Sequence, residues 1–307
     1  MAKTLPSETT RRKWFRRRGF RWSLRAFLIA TAIIGVLVGL HAKRVSTRRT
    51  AIARLAGISP RGKPRIEYDY QFDDQGIIPN ARSSVPAPLL RFLGPDFFHE
   101  IVGVSLDGDH IHVTELQMLR SLPGLKRLDV EYDTLSRESL ETIEKLVALE
   151  RLDLQETGIG DDDLAHVSPL NNLRILLLSG RGISDDGLTN LSGLKHLKNL
   201  ALRECSVSGS GLVHLKCPSL RTLDVKKSPI SDASIDHICR LQSLEELNLF
   251  GTQVTSTGIV KLINLTNLKR LQLPKDADQD AIDVLNEALP GCRIERTEAI
   301  GMGLPNR

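Results

Sequence analysis

Cysteine is scarce in this chain, four residues in 307. Cys205, Cys217, Cys239 and Cys292 form no CxxC and no paired-ligand spacing, which argues against a disulfide framework or a zinc centre and for reduced, small apolar filler. Catalytic signatures are missing as well. There is no GxxxxGK[ST], no GxSxG and no HExxH (His99–Glu100 lacks its second histidine), and no GxGxxG follows a strand. The expectation is therefore of a protein without enzymatic activity or cofactor. The last 242 residues carry 25 Lys or Arg against 36 Asp or Glu, a net −11, so the body lacks the basic surface that nucleic acid requires. Acid is what the first 65 residues lack: 17 Lys or Arg stand against the single acidic Glu8, a net +16.

That basic arm leads into an apolar run. Residues 11–25 hold eight positive charges, and Ala26 to Ala42 carries no ionisable group except His41. Seventeen helical residues rise about 26 Å, a little under the roughly 30 Å hydrocarbon core, and Trp22 and Leu24 extend the span. We expect a basic tail over 1–21 and a membrane anchor over 22–42. A cleaved signal peptide fits less well, because Leu40–His41–Ala42 followed by Lys43 and Arg44 is a poor cleavage site. The TRRKWF at 10–15 is a weak twin-arginine export signal, given Trp14 and the long gap before the apolar run. A buried core helix is disfavoured by an all-apolar circumference beside so many arginines. Both flanks are basic, but the denser cluster is N-terminal, which places that end in the cytoplasm and the rest of the chain beyond the cytoplasmic membrane.

Residues 43–100 suggest a connector and cap. RRTAIARLAG suits a short helix, RIEYDYQF alternates as a strand does, and GIIPNARSSVPAP is turn-rich. Leu89, Leu90, Phe92, Leu93, Phe97 and Phe98 then come directly before a repeated region, where an open core end needs a cover.

From residue 101 the chain restates one line. Starts fall at Ile101, Leu125, Leu149, Leu173, Leu197, Leu220, Leu244 and Leu268, with a partial unit at Cys292, at steps of 24 residues apart from one of 23. The first half, LxxLxL, alternates as a strand; the second spaces apolar residues three apart, as in Leu188, Leu191 and Leu194, showing one helical face. One such unit cannot bury that face alone, so stacked units must form a parallel sheet over a shared leucine core.

These lines resemble the leucine-rich repeat family, whose pattern LxxLxLxxN/CxL the chain follows over 101–296; the 24-residue length and TxISDxGL ending are similar to the bacterial and cysteine-containing subtypes. The resemblance implies an α/β solenoid with a parallel sheet on the concave face and short helices on the convex face. At the Asn/Cys position stand Asp109, Asp133, Thr157, Arg181, Cys205, Ser228, Thr252 and Asp276, of which only Cys205 conforms. The layout, with FRWSLRAFLIA, LLRFLGPDFF and LPGCRI, is similar to bacterial single-span repeat proteins. Residues 297–307 form a C-terminal tail.

Three stretches tempt a metal reading. GDDDL (160–164) aligns with SDDGL (184–188), SGSGL (208–212), SDASI (231–235) and TSTGI (255–259), the strand-to-helix turn. There Ser184, Ser208, Ser231 and Thr255 suit an N-cap, Asp161 to Asp163 suit a first turn, and His166 shares its slot with Asn190, His214 and His237. Asp276, Asp278, Asp280 and Glu287 have calcium-loop spacing, but the required Gly is Ala281 and Ile282, Leu285 and Leu289 keep helical spacing, making Asp278 a cap. Asp107, Asp109, His110, His112 and Glu115 are the best of the weak candidates.

If positions 4 and 6 of each line point inward, positions 3, 5 and 7 point outward and build the concave face on which solenoids hold partners. Most of these residues are charges of both signs. Ile175 and Leu177 are the exception, flanked by Arg151, Asp153 and Arg203, with Phe250 about 15 Å away at ~4.8 Å per strand. Arg127 and Asp129 complete the expected contact set. The alternative is local packing by a segment such as 60–90. We therefore expect a membrane-anchored, non-catalytic protein-binding solenoid with no bound metal; the alternatives are a self-associating envelope spacer, or a metal-dependent binder or enzyme at the first repeat.

Overall fold

A computed structural model describes residues 24–56, 65–73, 76–78, 81–107, 113–131 and 134–296. The chain divides into two units at Val45. The first unit is helical from Leu24, the start of α1 (Leu24–Ala56). Residues 28–54 of this helix are long and apolar enough to cross a membrane, with a mean hydropathy of 1.7, features that a signal sequence shares. The sequence suggested two helices here, an anchor ending at Ala42 and a separate short one from Arg48. They are one, because nothing from Lys43 to Thr47 breaks a helix: no proline or glycine interrupts the run.

The second unit opens with the tail of α1 and then β1 (Arg65–Tyr68), a tight turn at Asp69–Gln71, and the short pair β2 (Phe72–Asp73) and β3 (Gly76–Ile77). The single strand expected over RIEYDYQF is cut at Tyr68, whose backbone N–H turns to the Gln71 side chain at 2.7 Å. Helix α2 (Ala87–Leu93) follows, started by Pro86 and Pro88 and ended by Gly94 at φ +78°.

The repeats then lay down β4 (Ile101–Asp107), β5 (Arg127–Glu131), β6 (Arg151–Leu154), β7 (Ile175–Ser179), β8 (Asn199–Arg203), β9 (Thr222–Asp224), β10 (Glu246–Asn248), β11 (Arg270–Gln272) and β12 (Arg293–Glu295). These nine strands are parallel and in chain order, and β1 joins the first edge antiparallel to β4. The result is a leucine-rich repeat solenoid. Its register is the one that the period dictates: Leu128, Leu152, Leu176, Leu200, Leu223, Leu247 and Leu271 stand side by side. All seven are fully buried. Each fully buried leucine is worth about 2 kcal/mol of transfer free energy, and one contiguous cluster runs from Ile101 to Leu289. The last step is the exception to the expected numbering. Leu271 pairs with Ile294, a step of 23, so the final unit starts one residue before Cys292; this turns apolar Ile294, rather than Glu295, toward the core.

On the other side of the core lie α3 (Val113–Leu119), α4 (Arg137–Ile143), α5 (Asp232–Ile238), α6 (Ser256–Lys261) and α7 (Gln279–Ala288). In the three middle repeats the expected short helices are 3₁₀ helices, at Asp162–His166, Gly187–Leu191 and Ser210–His214. The cap also differs from expectation. The residues packed on the first end of the core are Ile52, Ile66 and Tyr68. Among those proposed from sequence, Phe92 is 86% exposed and Leu89 45% exposed, while Leu90, Leu93, Phe97 and Phe98 are half-buried. A strand hydrogen-bonded to β4 satisfies the edge's backbone groups, which apolar side chains from a helix could not.

Candidate functional site

The repeat lines present the side chains of their positions 3, 5 and 7 on one face of the sheet, and from β6 to β11 the middle position is closed, while Ser105 and Asp129 of the first two lines stay half-buried. Asp153, Asp224 and Gln272 are each 1% exposed, and Ala201 and Asn248 are buried with them. Strands 4.8 Å apart leave little room beside a short side chain whose neighbours are long. The charge expected to be solvated here is instead tied within the sheet. Arg151 Nε donates to Asp129 at 2.9 Å and its Nη2 to Asp153 at 3.4 Å; Arg203 Nε donates to Asp224 at 2.7 Å. Breaking such a buried pair by removing one partner leaves an uncompensated charge, which is why these residues lock the face.

The same column ends the strands. Asp153, Asp224 and Asn248 each accept the backbone N–H two residues on, at 3.2, 3.1 and 3.0 Å, drawing the chain out of the sheet. The next turn needs left-handed backbone: Glu156, Gly180, Glu204, Lys227 and Gly251, one per repeat, have φ of +57°, +114°, +55°, +57° and +71°. Just beyond, at the Asn/Cys position, hydroxyls take over the ladder. Thr157 and Thr252 donate to Leu154 and Leu249 carbonyls at 2.6 and 2.7 Å. Ser228 donates to Leu202 O at 2.8 Å and accepts from Cys205 N at 3.1 Å, so it links two repeats.

The eight residues expected to form the contact surface therefore divide. Arg151, Asp153 and Leu177 are buried, at 4%, 1% and 4% exposure, and form a floor, contrary to expectation. Arg127, Asp129, Ile175, Arg203 and Phe250 are half-buried and reach the surface. At the first edge the flanking segment does pack on this face: Arg127 lies 4.5 Å over the Phe72 ring and 3.5 Å from Glu67, and burial lowers its guanidinium pKa. Toward the other end, burial pushes the Glu246 carboxyl up, against the pull of Arg270. The face over β7 to β10 carries Ile175, Asn199, Arg203, Lys226 and Phe250 as half-exposed side chains, with Glu246 at its far edge.

Two of the three consecutive aspartates, Asp161 and Asp163, have structural partners. Asp161 accepts from the backbone N–H and hydroxyl of Ser184, one repeat on, at 2.7 and 2.5 Å. Asp185 does the same to Ser208, at 2.9 and 2.6 Å, and also accepts from Gly209 N and Gly211 N at 3.0 and 2.7 Å. Asp232 binds Thr255 by N–H, at 2.7 Å, and by hydroxyl. Ser231 and Thr255 stand at the N-cap positions of α5 and α6 as expected, without a side-chain cap bond, and Ser184 Oγ accepts from Asp186 N at 3.3 Å; the hydroxyls of Ser184, Ser208 and Thr255 are in addition held by an aspartate of the preceding repeat, which was not expected. Glycine three residues beyond each hydroxyl leaves the space. A Cβ on Gly187 or Gly258 would overlap the Asp161 or Asp232 carboxylate, and one on Gly211 the Asp185 carbonyl. Where the aspartate is replaced by Gly209, its partner position holds Ser234 instead of glycine, and a Cβ on Gly209 would meet that serine. This Asp–Ser/Thr–Gly staple, at spacings of 23 and 26, was written in the sequence and missed.

Of the other aspartates, Asp163 accepts from Gly160 N at 2.9 Å, Asp162 is exposed, and His166 Nδ1 pairs with Glu144 at 2.7 Å. Asp278 caps α7, its carboxylate accepting from Asp280 N at 3.4 Å, and Ala281, Ile282, Leu285 and Leu289 are core residues. The third stretch falls largely outside the described residues: Asp109, His110 and His112 are not described, nor are the side chains of Asp107 and Glu115. Burial pushes the Cys205 and Cys217 thiols up, to about 12 and about 11, and both are packed in the core.

No protein-family model matches the sequence, and no curated protein matches it. Among solved structures the chain is similar to internalin C2 from Listeria monocytogenes, with 19% sequence identity and a TM-score of 0.49, over 64% of this chain and 80% of that one.

Proposed function

We propose that this chain is a single-span membrane protein whose repeat domain holds a protein partner on its concave sheet face, without catalysis and on the non-cytoplasmic side. The observation that carries the reading is the strip over β7 to β10. There two apolar side chains, Ile175 and Phe250, reach the surface three strands apart, about 14 Å across the sheet, with Phe250 four residues further along its line, beside the cations Arg203 and Lys226. The floor beneath is held by ion pairs and by buried Leu177 and Ala201, so the strip is pre-organised and loses little entropy on binding. An aromatic or aliphatic anchor rimmed by arginine is the composition of a binding hot spot. The charge asymmetry of the two helix flanks supports the orientation.

Ile175→Asp and Phe250→Asp test the site, with in-cell crosslinking of the anchored protein and identification of what is retained. The expected outcome is a monomer that keeps its fold and loses the partner, by about 30-fold or more in affinity for a side chain worth ~2 kcal/mol. Loss of self-association in these variants would favour a spacer built of copies of this chain and overturn the adaptor reading. A reporter fused at Arg307 tests sidedness, and a cytoplasmic signal would reverse the orientation.

A further inference from the structure

Phe92 is 86% exposed, and its neighbour one turn earlier, Leu89, is 45% exposed. The two stand three residues apart on α2 and share a face. A phenylalanine so open to water is stabilised by nothing within the fold, and α2 contributes no buried residue to the core. Yet α2 is held firmly in place. The Arg49 guanidinium donates to the carbonyl of Leu93, the last residue of α2, and its Nε lies 3.4 Å from Asp96; Asp96 also accepts from the Tyr68 hydroxyl at 2.6 Å. Three elements thus cooperate to fix a helix whose outward face is apolar.

The tether limits how far that face can lie from the end of the apolar run. Arg49 follows Ala42, the end of the apolar run, by seven residues, so at most about 25 Å of chain connects them. Around Leu89 and Phe92 in the sequence are the exposed cations Arg82 and Arg91, and beside Arg49 on its helix the exposed Arg54. Apolar side chains with arginines at their margin are the composition that settles at a bilayer surface, the rings among the first acyl carbons and the guanidinium groups on the phosphates.

We propose that the Leu89–Phe92 face of α2 rests in the headgroup layer of the bilayer, a second membrane contact beside the helical span. It rests on the single-span reading above. The chain's two tryptophans, Trp14 and Trp22, allow a direct test once replaced by phenylalanine. In that background Phe92→Trp is made in the full chain and reconstituted into phosphatidylcholine vesicles with and without bromine on the upper acyl carbons. Val284→Trp, on the exposed face of α7, serves as the control. The expected result is emission from position 92 that is shifted to the blue and quenched by brominated lipid, with the control neither shifted nor quenched.

Carbonate extraction of the same vesicles separates the two readings. Protein that resists extraction but shows unquenched emission at position 92 overturns the inference and leaves the span intact. A blue shift without quenching points to a protein partner or a second copy on this face and also overturns it. Protein released by carbonate overturns the span reading and the inference together.

Discussion

Replacing Asp185 by alanine removes the acceptor for four hydrogen bonds, from the hydroxyl and N–H of Ser208 and from Gly209 N and Gly211 N. Three of these donors are backbone groups at the head of the next repeat's turn, so the loss is that of a helix cap, typically ~1 and up to ~2 kcal/mol. Hydrogen bonds to a charge are worth more, ~1.5–3 kcal/mol each, but Asp185 is half-exposed and water replaces part of what is lost. About 2 kcal/mol is the resulting expectation, a fall in Tm of roughly 4–8 °C for a domain of this size. Thermal unfolding of the full-length protein in detergent, followed by circular dichroism, reads this directly. Asp162→Ala, at an exposed aspartate of the aligned turn, is the control and changes stability by no more than about 0.5 kcal/mol. The pH dependence supplies a second check. Burial raises the Asp185 carboxyl, but the Ser208 hydroxyl and the N–H groups of Gly211, Ser208 and Gly209 outweigh it, and the net shift is downward. A depressed folded pKa gives stability that is complete above the unfolded value, ~3.9, and is lost as pH falls through the folded value. The gap between wild type and Asp185→Ala therefore closes in acid. Equal melting of Asp185→Ala and Asp162→Ala, or a gap that persists in acid, would refute the staple.

Leu200→Ala opens a cavity at a fully buried site in the middle of the sheet and costs about 3 kcal/mol, read from the same melts. Glu204→Gly relieves a left-handed residue that sister repeats fill with Gly180 and Gly251. It gives up only an exposed ion pair with Lys227, and stability stays level or rises by about 0.5 kcal/mol. Cys205 and Cys217, with thiols pushed up to about 12 and 11, resist iodoacetamide at pH 8 in the folded protein and react on unfolding in urea.

The repeat, the parallel register and the inward leucines were legible because a period of 24 fixes which residues stand side by side; Leu152, Leu176 and Leu200 needed no further information. The cap was not. Phe92 and Phe97 carry the hydrophobicity of a cover, but the edge of a sheet asks first for backbone partners, which β1 supplies, and hydropathy does not register that need. Alternation correctly placed Arg151, Asp153 and Leu177 on the outer face, yet exposure depends on the size of the neighbours one strand away, so facing outward did not mean facing water. Asp161, Asp185 and Asp232 were aligned and assigned to the helix they precede. Their partners lie in the next repeat, and only comparison at 23 and 26 residues would have paired them with Ser184 and Gly187, Ser208 and Gly211, Thr255 and Gly258.

The proposed binding face is tested most directly by a photo-crosslinking amino acid placed in turn at Ile175, Phe250 and, on α7, Val284 of this chain expressed in cells. Adducts to one protein partner from positions 175 and 250, with none from 284, are the predicted result. Adducts arising from 284 alone, or only between copies of this chain, would contradict it.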